Sequence, residues 1–239
     1  KDKELLTLEP YRMNAYFNQK CNLIQAFDML INEDKDNIPE TKNFNLEISR
    51  HDQAYGYNLV QQVKQQAGKD KVVVFQPLGS GAKLEGEFVI DDSGRSFDVK
   101  DIIEITKELS KHAAVIMMTN IKIPVSQQMS AAIPEANILQ WMGIIKMCDY
   151  FLGCDSMGQH YAHALNKPAT VVIGSTYPEN ISYPDNKDFT IIDNGKDKGR
   201  VYNPFRIQMD WDANRNNEDM MVMDDKQVKN IVDSVLNKV

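Results

Sequence analysis

Three turns containing glycine and small hydroxyl residues follow hydrophobic runs of the sequence and carry side chains suited to an anionic ligand. The first contains Gly79, Ser80, Gly81 and Lys83 and follows the run 71–75 directly. Glycines let backbone N–H groups approach an anion closely, and the lysine supplies the opposite charge. The glycine-to-lysine spacing is not that of a Walker loop. We interpret the segment as a phosphate-contacting turn, with a plain flexible turn as the alternative.

The second turn leads from a later hydrophobic run into a helix and contains Asp155, Ser156, Gly158 and His160. Ser156 occupies an N-cap position, which would direct the free N–H groups of the first helical turn at a ligand. His160 follows one turn later, within reach of a phosphate. The alternative is that Asp155 or Ser156 only caps the helix and His160 is structural. His160 and His163 lack a third ligand, so we predict no metal site.

A third turn and two further segments complete the candidate site. Ser175 and Thr176 place hydroxyls at the end of another hydrophobic run, where they would contact phosphate or sugar. Arg95, just before a predicted helix, is a candidate anion contact. Trp141 and Met142 could form a flat platform for a nucleotide base. The alternative for Ser175 and Thr176 is a turn shaped by proline, and the alternative for Arg95 is a solvated loop. Trp141 and Met142 could instead be ordinary core residues.

Hydrophobic runs alternate with helical patterns through most of the chain. Unbroken runs of this kind are typical of strands buried on both faces of a parallel sheet. We therefore predict an α/β fold over residues 71–239, a Rossmann-like doubly wound and mostly parallel sheet. In such sheets ligands bind at the carboxyl ends of the strands, where all three turns lie. The predicted strands are 72–75, 114–117, 150–152, 170–173 and 189–192, and the predicted helices are 99–109, 124–132, 139–148, 156–165 and one that begins at Asp224.

Residues 1–70 differ from this pattern and are predicted to form a helical lead-in or the remnant of an N-terminal half. We expect one helix over 10–32, a short strand over 44–48 and a helix over 52–66 that ends at Gly68. The polar stretch 194–219 is predicted to be a long surface excursion.

Composition limits the classes of function. The net charge of −7 argues against a protein that covers nucleic acid or anionic membrane. No hydrophobic run reaches the roughly 18 residues of a membrane span. Cys21, Cys148 and Cys154 lack metal-ligand spacing and are interpreted as reduced thiols, so we expect a cytoplasmic protein.

The three turns, in this order, resemble the C-terminal half of family nine glycosyltransferases, the heptosyltransferase-like group with the GT-B fold. That family has a Gly/Ser turn with a lysine, then Asp-Ser/Thr-Gly-x-x-His opening a helix that continues Ala-x-Ala-Leu, then Gly-x-Thr-x-Pro. The resemblance runs from about residue 71 to the end of the sequence. The counterparts here are Ser80 and Lys83, then Asp155, Ser156 and His160 followed by 162–165, then Gly174, Thr176 and Pro178.

The resemblance implies a nucleotide-sugar as donor substrate and transfer of the sugar, with inversion, to a glycan or other hydroxyl acceptor. It implies no metal and no cofactor, and a catalytic base supplied by an N-terminal half or a partner subunit. Two features depart from the family pattern. Met157 replaces a glycine, which is displaced to Gly158, and 118–120 lacks the Gly-Gly-x-x-Glu segment that reaches the donor ribose. These departures favour an alternative, a non-catalytic structural or binding module that keeps the fold.

Overall fold

The computed structural model describes residues 8–40, 46–86, 88–121, 123, 130–200 and 218–239. The strands are β1 Val72–Gln76, β2 Lys83–Glu85, β3 Phe88–Ile90, β4 Ala114–Met117, β5 Ala131–Ala132, β6 Tyr150–Cys154, β7 Ala169–Ile173 and β8 Phe189–Asp193. Six of them form one sheet in the order β5-β4-β1-β6-β7-β8, and every neighbouring pair is parallel. The remaining two, β2 and β3, form an antiparallel hairpin. The predicted Rossmann-like sheet is confirmed.

The helices are α1 Asn14–Phe17, α2 Leu23–Ile31, α3 Arg50–Ala67, α4 Val99–Ser110, α5 Ile138–Met147, α6 Met157–Ala164, α7 Pro178–Ile181 and α8 Asp225–Leu236. Short 3-10 turns lie at Pro10–Arg12 and Glu218–Met221. The helix α3 ends at Gly68, whose φ of 64° suits glycine. The helix α8 begins with a capping box between Asp224 and Gln227. The helices predicted at 52–66, 99–109, 139–148 and 156–165 are confirmed, as is the last one.

Helices cover both faces of the sheet. Apolar side chains of α4 and α8 pack on one face, and those of α3, α5 and α6 pack on the other. The helices α3 and α5 cross very closely, because a Cβ atom on Gly143 would lie 2.0 Å from the carbonyl oxygen of Asp52. Thus α3 packs with the sheet although it precedes the expected boundary at residue 70. The division into 1–70 and 71–239 stays a prediction.

The expectation of a single helix over 10–32 is wrong. The chain forms a 3-10 turn and two helices there, with Gln19 in the left-handed region at φ 54°. Asn22 is the N-cap of α2. Its side chain accepts a hydrogen bond from the Gln25 N–H, and the Gln25 side chain accepts one from the Asn22 N–H. These elements enclose a small apolar cluster of their own, formed by Met13, Tyr16, Cys21, Ala26 and Met29.

Three further expectations fall partly outside the described residues. The strand expected at 44–48 is wrong for Leu46 and Ile48, which pack on the core without pairing to a strand. The helix expected at 124–132 is wrong at 131–132, which form β5 beside β4, while 124–129 are not described. Of the excursion at 194–219, residues 201–217 are not described. Its first residue, Asn194, is buried and donates to the Met220 carbonyl.

Two simpler expectations concern cysteines and membrane spans. All three cysteines are free and buried. Within the described ranges, no helix is long and apolar enough to cross a bilayer.

Candidate functional site

The candidate site lies at the carboxyl ends of β1 and β6. These neighbouring strands mark the point where the sheet order reverses, because β4 and β5 extend to one side and β7 and β8 to the other. A crevice at such a switch point is the usual ligand site of an open α/β sheet. A cavity of about 340 Å³ opens here. Six of the residues singled out by the sequence line it, namely Ser80, Arg95, Asp155, Ser156, His160 and Thr176.

Gln76, the last residue of β1, holds the start of α6 in place. Its Oε1 accepts a hydrogen bond from the Gly158 N–H at 2.8 Å, and its Nε2 donates to the Ser156 Oγ at 3.0 Å. Ser156 is the N-cap residue as predicted, but its side chain makes no capping hydrogen bond. A Cβ atom on Gly158 would lie 2.4 Å from Gln76 Oε1 and 2.5 Å from the Phe151 ring, so glycine is required there. This glycine therefore permits the close approach of α6 to the sheet.

Asp155 joins the second turn to the third. Its Oδ1 accepts from the Gln159 Nε2 at 3.0 Å, and its Oδ2 accepts from the Thr176 Oγ1 at 2.9 Å. The third turn is also held by Arg200, a buried side chain that pairs with Asp193 and donates to the Thr176 carbonyl. The carboxylate of Asp155 thus fixes the positions of two cavity walls.

Arg95 brings a positive charge to the cavity wall. Its Nη2 donates to the Ser80 Oγ at 3.2 Å, which connects the loop before α4 with the first turn. Asp91 organises that loop by accepting hydrogen bonds from the backbone N–H and hydroxyl groups of both Ser93 and Ser96. Burial raises the pKa of Asp91, but these hydrogen bonds outweigh it and hold the pKa below its usual value. The guanidinium has five N–H donors, which leaves some for a ligand.

His160 lies on the cavity wall, and its ring is held by Tyr183. Its Nδ1 lies 2.8 Å from the Tyr183 hydroxyl, and the Tyr183 ring stacks on His163 at 3.6 Å between centroids. Burial lowers the pKa of His160, and the Asp155 carboxylate opposes this only in part. The lowered pKa favours the neutral imidazole, which can still donate or accept a hydrogen bond. Burial raises the pKa of Tyr183 to about 12, so its hydroxyl keeps its proton.

Lys83 does not line this cavity. It lies in the hairpin, where its Nζ pairs with Glu85 at 2.8 Å and with Asp92 at 3.6 Å. The hydrogen bond and charge of Glu85, with a smaller contribution from Asp92, raise the pKa of Lys83. Trp141 and Met142 are buried residues of α5, and neither lines the cavity. Their predicted ligand contacts stay predictions.

The remaining candidates shape the turns rather than line the cavity. The Gly79 N–H donates to the Ser96 Oγ at 2.9 Å, and the Ser175 hydroxyl donates to the Ser93 carbonyl. A Cβ atom on Gly81 would lie 2.7 Å from a carboxylate oxygen of Asp91. These contacts hold the first and third turns against the loop that carries Arg95. Their part in phosphate binding also stays a prediction.

Several wall residues were missed by reasoning from the sequence. The lead-in supplies one wall through Tyr11, Tyr16, Asn22, Leu23 and Ile24, and the segment after the third turn supplies Asn180, Ser182 and Tyr183. No local pattern marks the lead-in residues, because they reach the site only through tertiary packing. Residues 178–184, by contrast, belong to the turn that begins with Gly174 and closes at Pro184, and that proximity was a usable signal. Within the described part of the chain, no group of three or more His, Cys, Asp or Glu residues could hold a metal ion.

Comparisons with known proteins bear on the fold. No family model matches the sequence, and no curated protein matches it. Similar solved structures include a family 9 glycosyltransferase from Veillonella parvula DSM 2008, with TM-score 0.60 and 12% identity over 98% of this chain and 63% of that one. They also include the E. coli ADP-heptose LPS heptosyltransferase II, with TM-score 0.50 and 16% identity over 72% of this chain and 54% of that one. This chain shares their fold and spans between about half and two thirds of their length.

Proposed function

We propose that the cavity binds the diphosphate of a nucleotide-sugar and that the chain is the donor-binding part of a glycosyltransferase. The observation that carries the proposal is the meeting of Arg95, the α6 N-terminus and the hydroxyls of Ser80 and Ser156 at the switch point. Fold similarity to a heptosyltransferase and to a family 9 glycosyltransferase supports it. The transferred sugar would go to a hydroxyl of a glycan or another acceptor.

The charges and dipoles of the wall favour an anion. The amino end of a helix carries a partial positive charge, and α6 points that end at the cavity. Because Gln76 already occupies the Gly158 N–H, a ligand would use other first-turn N–H groups. Arg95 adds a full charge, and neutral His160 adds a hydrogen bond.

These groups would act as the sugar departs. When the bond from the anomeric carbon to the phosphate oxygen breaks, negative charge grows on the diphosphate, and preorganised donors stabilise it without reorganising. On this proposal no metal or cofactor is needed. Asp155 is the acidic residue on the described wall, and both of its oxygens already accept hydrogen bonds. A base for the acceptor hydroxyl would therefore come from an N-terminal half or a partner subunit.

Calorimetric titration tests the proposal. The purified chain is titrated with UDP, GDP, ADP and CDP and with hexose or heptose esters of each. We expect at least one nucleoside diphosphate and its sugar ester to bind with a dissociation constant below about 1 mM. A few charge-assisted hydrogen bonds supply a binding free energy of that size. Absence of binding by every nucleotide at millimolar concentration would refute the proposal.

A second candidate is a non-catalytic binding or structural module that keeps this fold. The observation favouring it is the pairing of Lys83 with Glu85 and Asp92 outside the cavity, where the resemblance implied a donor contact. The same titration separates the two, because a module that lost the chemistry should bind neither a nucleoside diphosphate nor its sugar ester. A cytoplasmic location is also proposed, on the three buried free thiols, and cell fractionation tests it.

A further inference from the structure

A tyrosine that follows α7 contacts the histidine of the cavity wall. The Tyr183 hydroxyl lies 2.8 Å from the His160 Nδ1, and both residues line the cavity. Resting on the proposed function, we infer that Tyr183 is a positioning residue, which holds the proton of neutral His160 on Nε2. His160 thereby presents an N–H donor to the diphosphate of the ligand.

The ring of Tyr183 is fixed by aromatic neighbours. The residue is 6% exposed, and its ring stacks on that of His163 with the centroids 3.6 Å apart and the planes 8° from parallel. Phe189 and His160 both meet the Tyr183 ring edge to face, at 5.7 Å between centroids. Because these contacts restrict the orientation of the ring, the hydroxyl stays directed at the His160 Nδ1.

The chemistry of the two groups sets the direction of their hydrogen bond. Burial raises the pKa of Tyr183 to about 12, so the phenol keeps its proton. The bare nitrogen of a neutral imidazole is a much stronger acceptor than a phenol oxygen, whose lone pair is shared with the ring. The Tyr183 hydroxyl therefore donates, and the His160 Nδ1 accepts. A neutral imidazole has a single N–H, so the proton lies on Nε2.

The His160 Nε2 is accessible from the cavity. No described residue forms a hydrogen bond with it, and it is not among the buried unpaired atoms of the described residues. As an N–H group it can donate to a phosphate oxygen, which only accepts. With the proton on Nδ1 instead, Nε2 would direct a lone pair at the anion and repel it. The position of this proton therefore decides whether His160 favours or opposes the ligand.

The neighbouring His163 contacts the ring of Tyr183 rather than its hydroxyl. The His163 Nδ1 lies 3.0 Å from the Asn186 Nδ2, an amide nitrogen that only donates. This Nδ1 is therefore an acceptor too, and the His163 ring supplies the surface on which Tyr183 stacks. The two histidines of α6 thus share one tyrosine, His160 through its hydroxyl and His163 through its ring.

Nitrogen-15 NMR of the ligand-free chain tests the position of the proton. The sequence has four histidines, and His160→Asn assigns the signals of this one. Spectra at about pH 8 report the neutral form, because the pKa of His160 lies below its usual value. We expect a protonated Nε2 and a bare Nδ1, whose signals lie far apart. In Tyr183→Phe the two signals should move toward each other, because the proton can then occupy either nitrogen.

Calorimetry tests what the position of the proton does for binding. For Tyr183→Phe we expect affinity for the tightest of the four nucleoside diphosphates to fall by about 2- to 10-fold, the effect of one hydrogen bond. In a His160→Ala background the same change should cost nothing further, because Tyr183 acts through His160. The control is Tyr161→Phe, on α6 but outside the cavity wall, which should alter neither the His160 signals nor the affinity.

The outcomes separate this inference from the proposed function. A proton on Nδ1 in wild type would overturn the role of Tyr183, as would unchanged signals or affinity in Tyr183→Phe, or an equal loss with and without His160. Each of these would leave the proposed function standing. A proton on Nε2 without binding of any nucleoside diphosphate would refute the proposed function and the donation to phosphate with it. Phenylalanine keeps the ring contacts with His163 and Phe189, and a thermal melt checks that the variant is folded.

Discussion

The Gly158 N–H donates to the Gln76 Oε1 at 2.8 Å, and this contact joins the end of β1 to the first turn of α6. The contact crosses the switch point of the sheet. It therefore adds a side-chain hydrogen bond to the backbone hydrogen bonds that already join β1 and β6. Gln76 is 7% exposed, and its second contact, from Nε2 to the Ser156 Oγ, orients a hydroxyl of the cavity wall. The start of α6 is therefore built before any ligand arrives, which lowers the cost of binding.

Replacing Gln76 with leucine should destabilise the protein. The change leaves the buried Gly158 N–H without its acceptor, and an unsatisfied buried group costs about 1–3 kcal/mol. The free energy of unfolding in urea measures the effect. The control is Gln65→Leu at an exposed position of α3, which should change stability by less than about 0.5 kcal/mol. An unchanged value for Gln76→Leu would show that solvent satisfies the N–H.

Regular elements were predictable where one local pattern determined them. The strand 72–75 is hydrophobic on every position because both faces are covered, and the N-cap at Asp224 starts α8 as expected. The break between α1 and α2 was missed because the apolar spacing of 10–32 continues through it, although the Asn22 and Gln25 pair was a usable signal. The capping contacts of Asn22 and Gln25 determined where α2 begins, although the apolar spacing continued through that point.

The site was only partly predictable. Ser156 and Thr176 were found because they directly follow strands whose carboxyl ends meet. The ion pairs of Lys83 depend on the register of the β2–β3 hairpin, which brings in Asp92 from beyond β3. The hydrogen bonds from Asn180 to the carbonyl oxygens of Tyr16 and Cys21 join residues that lie 164 and 159 positions apart in the sequence. Such long-range partners leave no local pattern.

Arg95→Met should weaken binding of a nucleoside diphosphate by about 1.5–3 kcal/mol, because a charge-assisted hydrogen bond to phosphate is lost. Lys83→Met is the comparison, since Lys83 is paired with two carboxylates in the hairpin. We expect Lys83→Met to leave that affinity unchanged, because an exposed ion pair contributes little. Calorimetry measures both. A larger loss for Lys83→Met would mean that the hairpin moves over the ligand and that the sequence-based assignment of Lys83 is right.

Binding of a nucleotide-sugar should strengthen as the pH falls from about 7.5 to 5.5. Burial places the pKa of His160 below its usual value, with Asp155 and the His163 and Tyr183 rings as its neighbours. A bound diphosphate would raise that pKa, so binding takes up a proton and affinity rises at lower pH. The ligand must be a diphosphate esterified at both ends, since a terminal phosphate titrates near pH 6 itself. His160→Asn should remove most of the pH dependence, and a parallel dependence in that variant would exclude His160 as its origin.

Asp101→Asn should stabilise the protein at neutral pH. Asp101 is 3% exposed, and burial together with Asp98 and Asp225 raises its pKa to about 6, against the partial opposition of Lys100 and Lys198. A raised carboxyl pKa favours the folded state below the unfolded pKa, near 4, and that advantage is lost as the pH rises toward 6. The variant should therefore match wild type near pH 4 and exceed it by up to about 3 kcal/mol above pH 6. Urea unfolding across this range measures the difference, and Asp70→Asn at an exposed position should show none.

A preparation of residues 1–239 should bind a nucleotide-sugar yet transfer its sugar to no hydroxyl acceptor. Transfer needs a base within hydrogen-bonding reach of the attacking hydroxyl. Among the described residues that line the cavity, the carboxylate is Asp155. Its two oxygens already accept hydrogen bonds from Gln159 and Thr176. We expect slow hydrolysis of the donor at most, because water can reach the anomeric carbon without an acceptor-binding surface, and hydrolysis should fall with Arg95→Met.

Product analysis by mass spectrometry checks this, with a mixture of glycans and simple alcohols as acceptors. Addition of an N-terminal half or a partner subunit should restore transfer without changing donor affinity by more than about 10-fold, since the diphosphate contacts lie within this chain. Turnover onto an acceptor by residues 1–239 alone would contradict the prediction. It would assign the base either to Asp155 or to another residue, on the lead-in wall or outside the described residues, and Asp155→Asn would then separate the two. Loss of transfer with retained donor binding would identify Asp155 as the base, and retained transfer would exclude it.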